Sequence, residues 1–310
     1  MIVTVVICTY NRSHMLRRAL ASLESLTAPP REWEVVVVDN NSRDDTARVV
    51  AEFEARRLVP LRGVVEPVQG LSHARNAGIR AARGDVIAFM DDDAAAASEW
   101  LGALIECFET FGCLGVGGRI LPLWDCPTPR WMARGGAYPL LAVLGEFDHG
   151  GEPKRLRIAP FGGNMAFRRA AFEKYGLFRV DLGRSSRGLM GCEDTEFGRR
   201  LLRAGETIMY APRAVVYHLV ESERLRKGYF LSWYFHYGRA LVLLDPPVDG
   251  ARHFGVPRQV LVVAIRGALK WFLSVNDQRR FYYKLEFVRA LGEIVEFCRR
   301  TPSTGGSVRA

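Results

Sequence analysis

Three adjacent carboxylates form the strongest candidate for a chemical site in this sequence. Asp91, Asp92 and Asp93 directly follow the apolar run Val86–Met90, which is typical of a buried strand. Adjacent carboxylates repel one another, so three at a strand end need a counter-charge. A divalent cation such as Mg²⁺ or Mn²⁺ supplies that charge and commonly shares its ligands with phosphate oxygens. The alternative is a solvated acidic loop before a helix capped by Ser98.

Two more polar segments follow predicted strands. The runs Ile2–Cys8 and Trp33–Val38 are rich in β-branched residues, and helical patterns separate them. Thr9–Arg12 follows the first run, and Asp39–Ser42 follows the second. Alternating strands and helices predict a parallel sheet with right-handed crossovers, whose ligands bind at the carboxyl ends of the strands. We therefore expect these segments to lie together with the acidic triplet.

Polar residues near predicted turns and helix starts add further candidates. Gly163 lets the backbone approach a ligand closely, and the amide of Asn164 can bond hydroxyl groups as donor and acceptor. A plain turn is the alternative for this pair. Glu193 and Asp194 open a predicted helix, where simple capping of the first turn competes with a chemical role. His218 ends the segment AVVYH, where a chemical role and an ordinary core or surface histidine are equally consistent with the sequence.

The order and spacing of these segments resemble the large family of inverting glycosyltransferases with the GT-A fold, often called family two. Each motif alone is loose, but their combination is specific. The resemblance covers roughly residues 1–220 and implies an α/β fold with a Rossmann-like, mostly parallel sheet flanked by helices. The segments that carry it are Thr9–Arg12, Asp39–Thr46, Gly70–Asp93, Gly162–Arg169 and Cys192–Gly205.

The resemblance implies a divalent metal, Mn²⁺ or Mg²⁺, at the acidic triplet. The family's D-x-D motif matches Asp91 and Asp93, with Asp93 bound directly to the metal and Asp91 near the ribose or the metal shell. Asp92 is the variable middle position and is expected to contact substrate. Some members with this fold use a histidine at the position of His218 as a further metal ligand. The metal neutralises charge on the diphosphate leaving group.

The resemblance also implies how a nucleotide-sugar donor is bound. Asp39 lies where the family reads the base; it can accept the imide N–H of uracil or bind the edge of guanine. We expect a UDP-sugar. Tyr10 is expected to stack on the base, Thr9 to offer backbone groups, and Arg75 to reach the diphosphate or the base. A turn-forming aspartate, a packed tyrosine and a solvated helix arginine are the alternatives.

The remaining implied roles concern the sugar and the acceptor. Gly163 and Asn164 are expected to line the donor-sugar pocket, and Glu193 to contact the acceptor or the donor sugar. Asp194 is the expected general base, which deprotonates the acceptor hydroxyl as it attacks the anomeric carbon. The predicted function is inverting transfer to a carbohydrate or lipid-linked acceptor, in cell-surface polysaccharide or glycolipid synthesis. A catalytically degenerate sugar- or nucleotide-binding scaffold is the alternative.

The last third of the chain is helical and basic. The net charge is +9, of which residues 220–310 carry +7. This excess suits anionic lipid, nucleic acid, a phosphorylated acceptor or a solvated helical surface. Charged residues interrupt the apolar run Val260–Val275, so it is too short for a membrane span, but it can lie on a membrane. The predicted ranges are 1–220 for the transferase domain, 221–300 for a helical extension and 301–310 for a flexible tail.

Several function classes lack their sequence signatures. The sequence contains no dinucleotide fingerprint, P-loop, H-E-x-x-H or G-x-S-x-G motif. No known nucleic-acid-binding motif occurs, so a nucleic-acid partner is not expected. The six cysteines show no C-x-x-C spacing, which argues against a zinc site or a disulfide framework. We expect a cytoplasmic protein with reduced thiols that can lie peripherally at the inner face of a membrane.

Overall fold

The structure is a computed structural model that describes residues 1–27, 32–138, 140–184, 188–245, 252–253 and 255–300. The predicted domain ranges stay predictions, and the predicted tail 301–310 lies outside the described residues. The chain forms two compact units. The first comprises Met1–Pro127, Leu141–Arg187 and Glu193–Ser222, and the second comprises Thr128–Leu140, Gly188–Cys192 and the described residues from Glu223 onward.

A mixed sheet forms the centre of the first unit. Its strands are β1 (Val3–Thr9), β2 (Trp33–Asp39), β3 (Leu61–Val65), β4 (Val86–Met90), β5 (Ala94–Ala96), β6 (Gly115–Trp124), β7 (Lys154–Arg155), β8 (Asn164–Arg168) and β9 (Ile208–Val220). In the described residues the strand order is β3-β2-β1-β4-β8-β6-β9-β5, and β7 also pairs with β9. The helices are α1 (Ser13–Glu24), α2 (Thr46–Arg56), α3 (Leu71–Ala81), α4 (Trp100–Phe111), α5 (Arg169–Tyr175) and α6 (Glu193–Arg203).

The parallel part of the sheet aligns the polar strand ends. β1 pairs in parallel with β2 and β4, and Thr9 is directly opposite Asp39 in this register. All five residues of β4 are buried, as expected for a strand covered on both faces. The carboxyl ends of these three strands therefore lie side by side. Asp91 directly follows β4, which lies in the middle of the sheet.

The predicted α/β sheet flanked by helices is confirmed, and the sheet is mixed: the short strands β5 and β7 run antiparallel to β9, and β8 reverses direction in the interior of the sheet. β8 runs antiparallel to both of its neighbours, β4 and β6. The described residues between β6 and β8 contain no α-helix. The connection therefore differs from the helical crossovers that usually join parallel strands, in keeping with the antiparallel direction of β8.

Helix α3 lies close to the sheet because small residues face β1. Ala74 is fully buried, and a Cβ atom on Gly78 would clash with Cγ1 of Val6. Arg75 is adjacent to Ala74, so the depth of α3 against the sheet determines where its guanidinium lies.

Three helices dominate the described part of the second unit. They are α7 (Lys227–Leu244), α8 (Arg258–Leu273) and α9 (Asp277–Arg300), with a short hairpin of β10 (Arg252–His253) and β11 (Val256–Pro257) before α8. Gly238 of α7 and Gly292 of α9 allow these helices to approach closely, since a Cβ on either would clash with backbone of the other helix. Among the described residues, no helix is long and apolar enough to cross a membrane.

The packing of α3 can be tested with Gly78→Ala. This change should lower the free energy of unfolding by about 1–3 kcal/mol, because overpacking against Val6 outweighs the gain in helix propensity. Gly228→Ala is the matched control, since it also places alanine in an α-helix but has open space around its Cβ. Urea unfolding measures both variants. A Gly78→Ala protein as stable as the Gly228→Ala protein would contradict this close contact.

Candidate active site

Three potential cation ligands meet at the carboxyl edge of the sheet. Asp91 and Asp93 follow β4, and His218 in β9 pairs with Ala94 of β5. Because Ala94 directly follows Asp93, this register brings the imidazole to the carboxylate, with Nε2 of His218 3.2 Å from Oδ1 of Asp93. One ligand atom from each of Asp91, Asp93 and His218 lies within 4.8 Å of the other two. The structure thus brings together the three residues that the sequence predicted as metal ligands.

The donor set of this cluster suits a divalent transition metal. Two carboxylates and one imidazole are ligands that Mn²⁺ accepts, and carboxylates alone suit Mg²⁺. Asp93 and His218 are both 6% exposed, whereas the side chain of Asp91 keeps 37% of its surface accessible. The cluster is therefore held firmly on one side and is accessible to solvent through Asp91. Accessible positions are what a metal that also binds phosphate oxygens requires.

Arg12 is a site residue to which the sequence analysis assigned no role. Its Nη1 donates to Oδ1 of Asp92 at 3.2 Å and to Oδ2 of Asp93 at 2.9 Å. Charge complementarity is the signal that could have identified it, since Arg12 ends the polar segment after β1 and three acidic residues follow β4. Arg12 therefore offsets part of the repulsion within the acidic triplet.

Asp92 points into the protein and anchors the triplet to the first strand. It is 6% exposed, and its Oδ2 accepts a hydrogen bond from Oγ1 of Thr9 at 2.8 Å. Burial raises the pKa of Asp92 to about 6, although the Arg12 guanidinium opposes this shift. Thr9 and Asp92 were both expected to contact substrate. In this structure their side chains bond to each other and position Asp91 and Asp93, and the expected substrate contacts stay predictions.

A buried ion pair lies beneath the cluster. Arg75 and Glu193 are each 3% exposed, and Nη1 of Arg75 donates to Oε1 of Glu193. The other terminal nitrogen, Nη2, lies 3.3 Å from Oδ1 of Asp91. The guanidinium is thus engaged with protein carboxylates, and its expected contact with a diphosphate or base stays a prediction. Burial raises the pKa of Glu193 to about 7, even though the Arg75 charge lowers it.

Two consecutive glycines connect the predicted base to this cluster. The backbone N–H of Gly162 donates to Oδ2 of Asp194 at 2.7 Å, and a Cβ on Gly162 would clash with the Arg75 guanidinium. A Cβ on Gly163 would lie 2.9 Å from Oδ2 of Asp91. Oδ1 of Asp194 accepts from the N–H of Thr195 at 2.6 Å. The carboxylate of Asp194 is therefore oriented on both sides at the start of α6.

The loops after β1 and β2 are tied together beside the triplet. The N–H of Asn11 donates to Oγ of Ser42 at 2.9 Å, and Oδ1 of Asp39 accepts from the N–H of Ser42 at 2.9 Å. The second bond is that of an Asx turn, which was the alternative for Asp39. Tyr10 is exposed on this surface. Tyr10 follows Thr9, the register partner of Asp39, and both Tyr10 and the half-buried Asp39 remain accessible.

Asn40 is a second residue that the sequence analysis missed. It is 4% exposed, and its Nδ2 donates to the carbonyl oxygens of Glu66 and Val68 at 2.9 and 2.7 Å. Its Oδ1 accepts from the N–H of Gly70 at 2.8 Å, at the start of α3. Asn40 therefore ties the end of β2 to the segment that leads into the helix of Arg75. No local pattern identifies such a residue, because its partners lie 26 to 30 positions away.

The structure places Asn164 differently from the expected sugar contact. Its side chain is fully buried, and its Oδ1 accepts from Nε1 of Trp100 at 2.8 Å. Nδ2 donates to the carbonyl oxygens of Arg119 and Ala214 at 2.9 and 2.8 Å. These partners use both N–H groups and one acceptor position of the amide, so Asn164 joins β8 to its neighbours. The expectation that its amide bonds a sugar is corrected, and the accessible part of this stretch is the backbone around Gly163.

The buried ion pair leads to a pH-dependent stability. Because the folded-state pKa of Glu193 is about 7 and lies above its usual 4.5, folding favours the protonated form. Its contribution to stability is full below about pH 4.5 and is lost as the pH rises through about 7. Glu193→Gln should therefore reduce the fall in unfolding free energy between pH 5 and 8 by about 1–3 kcal/mol.

The partner variant tests the same pair from the other side. Arg75→Met should steepen the fall and cost about 3–5 kcal/mol at pH 8, because it leaves a buried carboxylate uncompensated. Urea unfolding at several pH values measures these slopes. Glu109→Gln, an exposed acid in α4, is the control and should follow the unmodified protein. Parallel curves for all the variants would contradict a buried, proton-linked pair.

A family model matches this chain, and two curated proteins are similar to it in sequence. The model described as glycosyl transferase family 2 matches residues 4–176. The chain is 30% identical over 275 residues to the succinoglycan biosynthesis protein ExoM of Rhizobium meliloti, covering 86% of this chain and 81% of that protein. It is 26% identical over 270 residues to the glucosyl-dolichyl phosphate glucuronosyltransferase of Haloferax volcanii, covering 85% and 84% of the two chains.

Solved structures share the fold. A mannosyltransferase from Pyrobaculum calidifontis, in complex with GDP-mannose and Mn²⁺, matches with a TM-score of 0.64 and 18% identity over 94% of this chain and 86% of that chain. Residues 1–349 of TarS from S. aureus, in complex with UDP-GlcNAc, match with a TM-score of 0.55 and 18% identity over 97% and 92%. At this identity the likeness shows the GT-A fold alone.

Proposed function

Because the chain belongs to glycosyl transferase family 2 and is a glycosyltransferase, we propose that it catalyses metal-dependent, inverting transfer from a nucleotide-diphosphate sugar. The transferase domain is proposed to span residues 1–220. The observation that carries the proposal is the contact of Gly162 and Gly163 with two carboxylates. Gly162 bonds the carboxylate of Asp194, and Gly163 lies against that of Asp91. A predicted base and a predicted metal ligand are thus held by consecutive residues.

The proposed cofactor is a divalent cation, Mn²⁺ or Mg²⁺. Asp91, Asp93 and His218 would hold it, and their mutual distances and donor types support this assignment. When bound, the cation would neutralise charge on the diphosphate leaving group. Arg75 holds Asp91 from the buried side, and Arg12 holds Asp93, so both ligands keep their positions against mutual repulsion.

Asp194 is the proposed general base. Its carboxylate accepts two backbone N–H bonds, which orient it and leave further lone pairs on the same oxygens. In the reaction an acceptor hydroxyl oxygen would bond to the anomeric carbon while the bond to the diphosphate oxygen breaks. The hydroxyl proton would pass to Asp194, and the nucleoside diphosphate would leave from the opposite face of the sugar. Attack from the opposite face inverts the anomeric configuration.

The proposed donor is a UDP-sugar, held by Tyr10 and Asp39 at the paired ends of β1 and β2. Stacking on the Tyr10 ring and a bond from the imide N–H of uracil to Asp39 would orient the nucleotide. The names of the two relatives point to succinoglycan and to a glucosyl-dolichyl phosphate. Both names support a carbohydrate or lipid-linked acceptor in cell-surface polysaccharide or glycolipid assembly.

Nucleotide titration tests the donor and the metal together. Calorimetry with UDP, GDP and dTDP should show one preferred nucleotide that binds only with Mn²⁺ or Mg²⁺. Asp93→Ala should abolish this binding, because it removes a buried ligand of the cluster. Asp85→Ala is the matched control, since Asp85 is exposed and directly precedes β4, at the end of the strand away from the acidic triplet. Absence of nucleotide binding by the unmodified protein would favour the degenerate scaffold.

The role of Asp194 is tested by Asp194→Asn. The variant should lose about 10²–10⁴-fold in kcat while it keeps its affinity for the donor nucleotide, because a general base acts on the chemical step. Glu196→Gln, in the same helix turn, is the control and should stay within a few-fold of the unmodified enzyme. Nuclear magnetic resonance of the product reports the anomeric configuration. Retained configuration, or full activity of Asp194→Asn, would contradict this mechanism.

A further inference from the structure

The turn between α8 and α9 exposes large apolar side chains. Phe272, Leu273 and Val275 are 82%, 73% and 95% exposed, and together they form what we call the apolar tip. Single exposed apolar residues are ordinary on a protein surface. Three within four consecutive positions form a patch, and such patches mark interaction surfaces.

The apolar tip continues along one face of α8. Ile265 and Leu269 are 60% and 56% exposed, and with Phe272 they follow an i, i+4, i+7 spacing that lies on one side of a helix. The opposite face packs inside the second unit: Val260 and Ala264 are buried, and Gly267 is close to the backbone of Phe287 in α9. Helix α8 therefore has two apolar faces, of which the described residues cover only one.

Basic residues surround this apolar face. The segment from Ile265 to Lys284 contains five basic residues and one acidic residue, Asp277. Lys270 and Arg279 line a recess of about 410 Å³ at the apolar tip. Both cations lie over the ring of Tyr283, with Nζ of Lys270 5.1 Å and Cζ of Arg279 5.7 Å from its centroid. The ring therefore holds two positive charges beside the exposed apolar side chains.

We propose that the apolar tip and the exposed face of α8 insert into the interfacial layer of a membrane that contains anionic lipids. An apolar face with a basic border is the pattern of helices that lie in this layer, and lipid phosphates complement Lys270 and Arg279. A second copy of the chain fits less well, because a two-fold interface through this face would bring together two patches that are both basic and carry one acidic residue each, Asp277. The inference does not depend on the proposed catalytic reaction.

Vesicle flotation of the full chain tests this surface. The protein should float with vesicles of phosphatidylcholine mixed with phosphatidylglycerol and bind much less to phosphatidylcholine alone. The triple variant Phe272→Ser, Leu273→Ser, Val275→Ser should lose at least about tenfold in affinity for the mixed vesicles. Lys270→Glu with Arg279→Glu should lose the preference for anionic lipid, and added salt should weaken binding of the unmodified protein.

The matched control removes exposed apolar residues elsewhere. Leu58→Ser with Ile158→Ser changes side chains that are 68% and 50% exposed in the first unit and should bind vesicles like the unmodified protein. Circular dichroism and nucleotide titration confirm that each variant is folded. Failure of the unmodified chain to bind mixed vesicles would overturn the proposal. An equal loss of vesicle binding in the control variant would also overturn it. So would a dimer of the unmodified protein that the tip variant dissociates while its vesicle binding is unchanged.

Discussion

The buried guanidinium of Arg75 is the interaction on which the candidate site depends. An arginine stays charged in a protein interior, so its burial is tolerated only where carboxylates compensate it. Glu193 at the start of α6 and Asp91 after β4 supply that compensation. Gly162 must lack a side chain because the guanidinium occupies the space beside it. One cation therefore fixes the relative positions of α3, α6, the end of β4 and the segment before β8.

The site as a whole holds more negative charge than this interaction offsets. The structure brings Asp91, Asp92 and Asp93 to one edge and adds Glu193 and Asp194, against the guanidinium groups of Arg12 and Arg75. Burial is the main cause that raises the pKa values of Asp92 and Glu193 above their usual range, and the neighbouring carboxylates add to it. An arrangement with surplus carboxylates is well suited to accept an additional cation.

Local patterns were sufficient to predict the elements and the edge where the polar residues meet. The apolar runs predicted β1, β2 and β4, and the predicted helical character of the last third is confirmed by α7, α8 and α9. The βα alternation implied that strand ends would share one edge, and Thr9 opposite Asp39 confirms that alignment. The direction of β8 was not encoded in this way, because strand composition does not report which end of a sheet the chain enters from.

The residues that sequence reasoning missed or misjudged have hydrogen-bond partners far away in the chain. Arg12 bonds carboxylates 80 and 81 positions away, and Asn164 bonds groups 45 to 64 positions away. A polar residue in a sequence motif is easily interpreted as a ligand contact until its long-range partners are known. Burial then separates residues that bond to the protein from residues that stay accessible to a ligand. Asp92, Asn164 and Arg75 are almost inaccessible and bond to other groups of the protein, while the expected ligand contacts of Asp92 and Arg75 stay predictions.

The accessible members of the site form the complementary group. Tyr10 is exposed, Asp39 is half-buried, and the side chain of Asp91 keeps 37% of its surface accessible. Each is attached to a buried element or neighbour: Tyr10 follows Thr9, Asp39 precedes Asn40, and Asp91 precedes Asp92. At all three strand ends an accessible side chain is thus adjacent in sequence to a buried hydrogen-bonded one. This alternation lets a rigid framework present the proposed ligand-binding groups to solvent without ordering a separate loop for each.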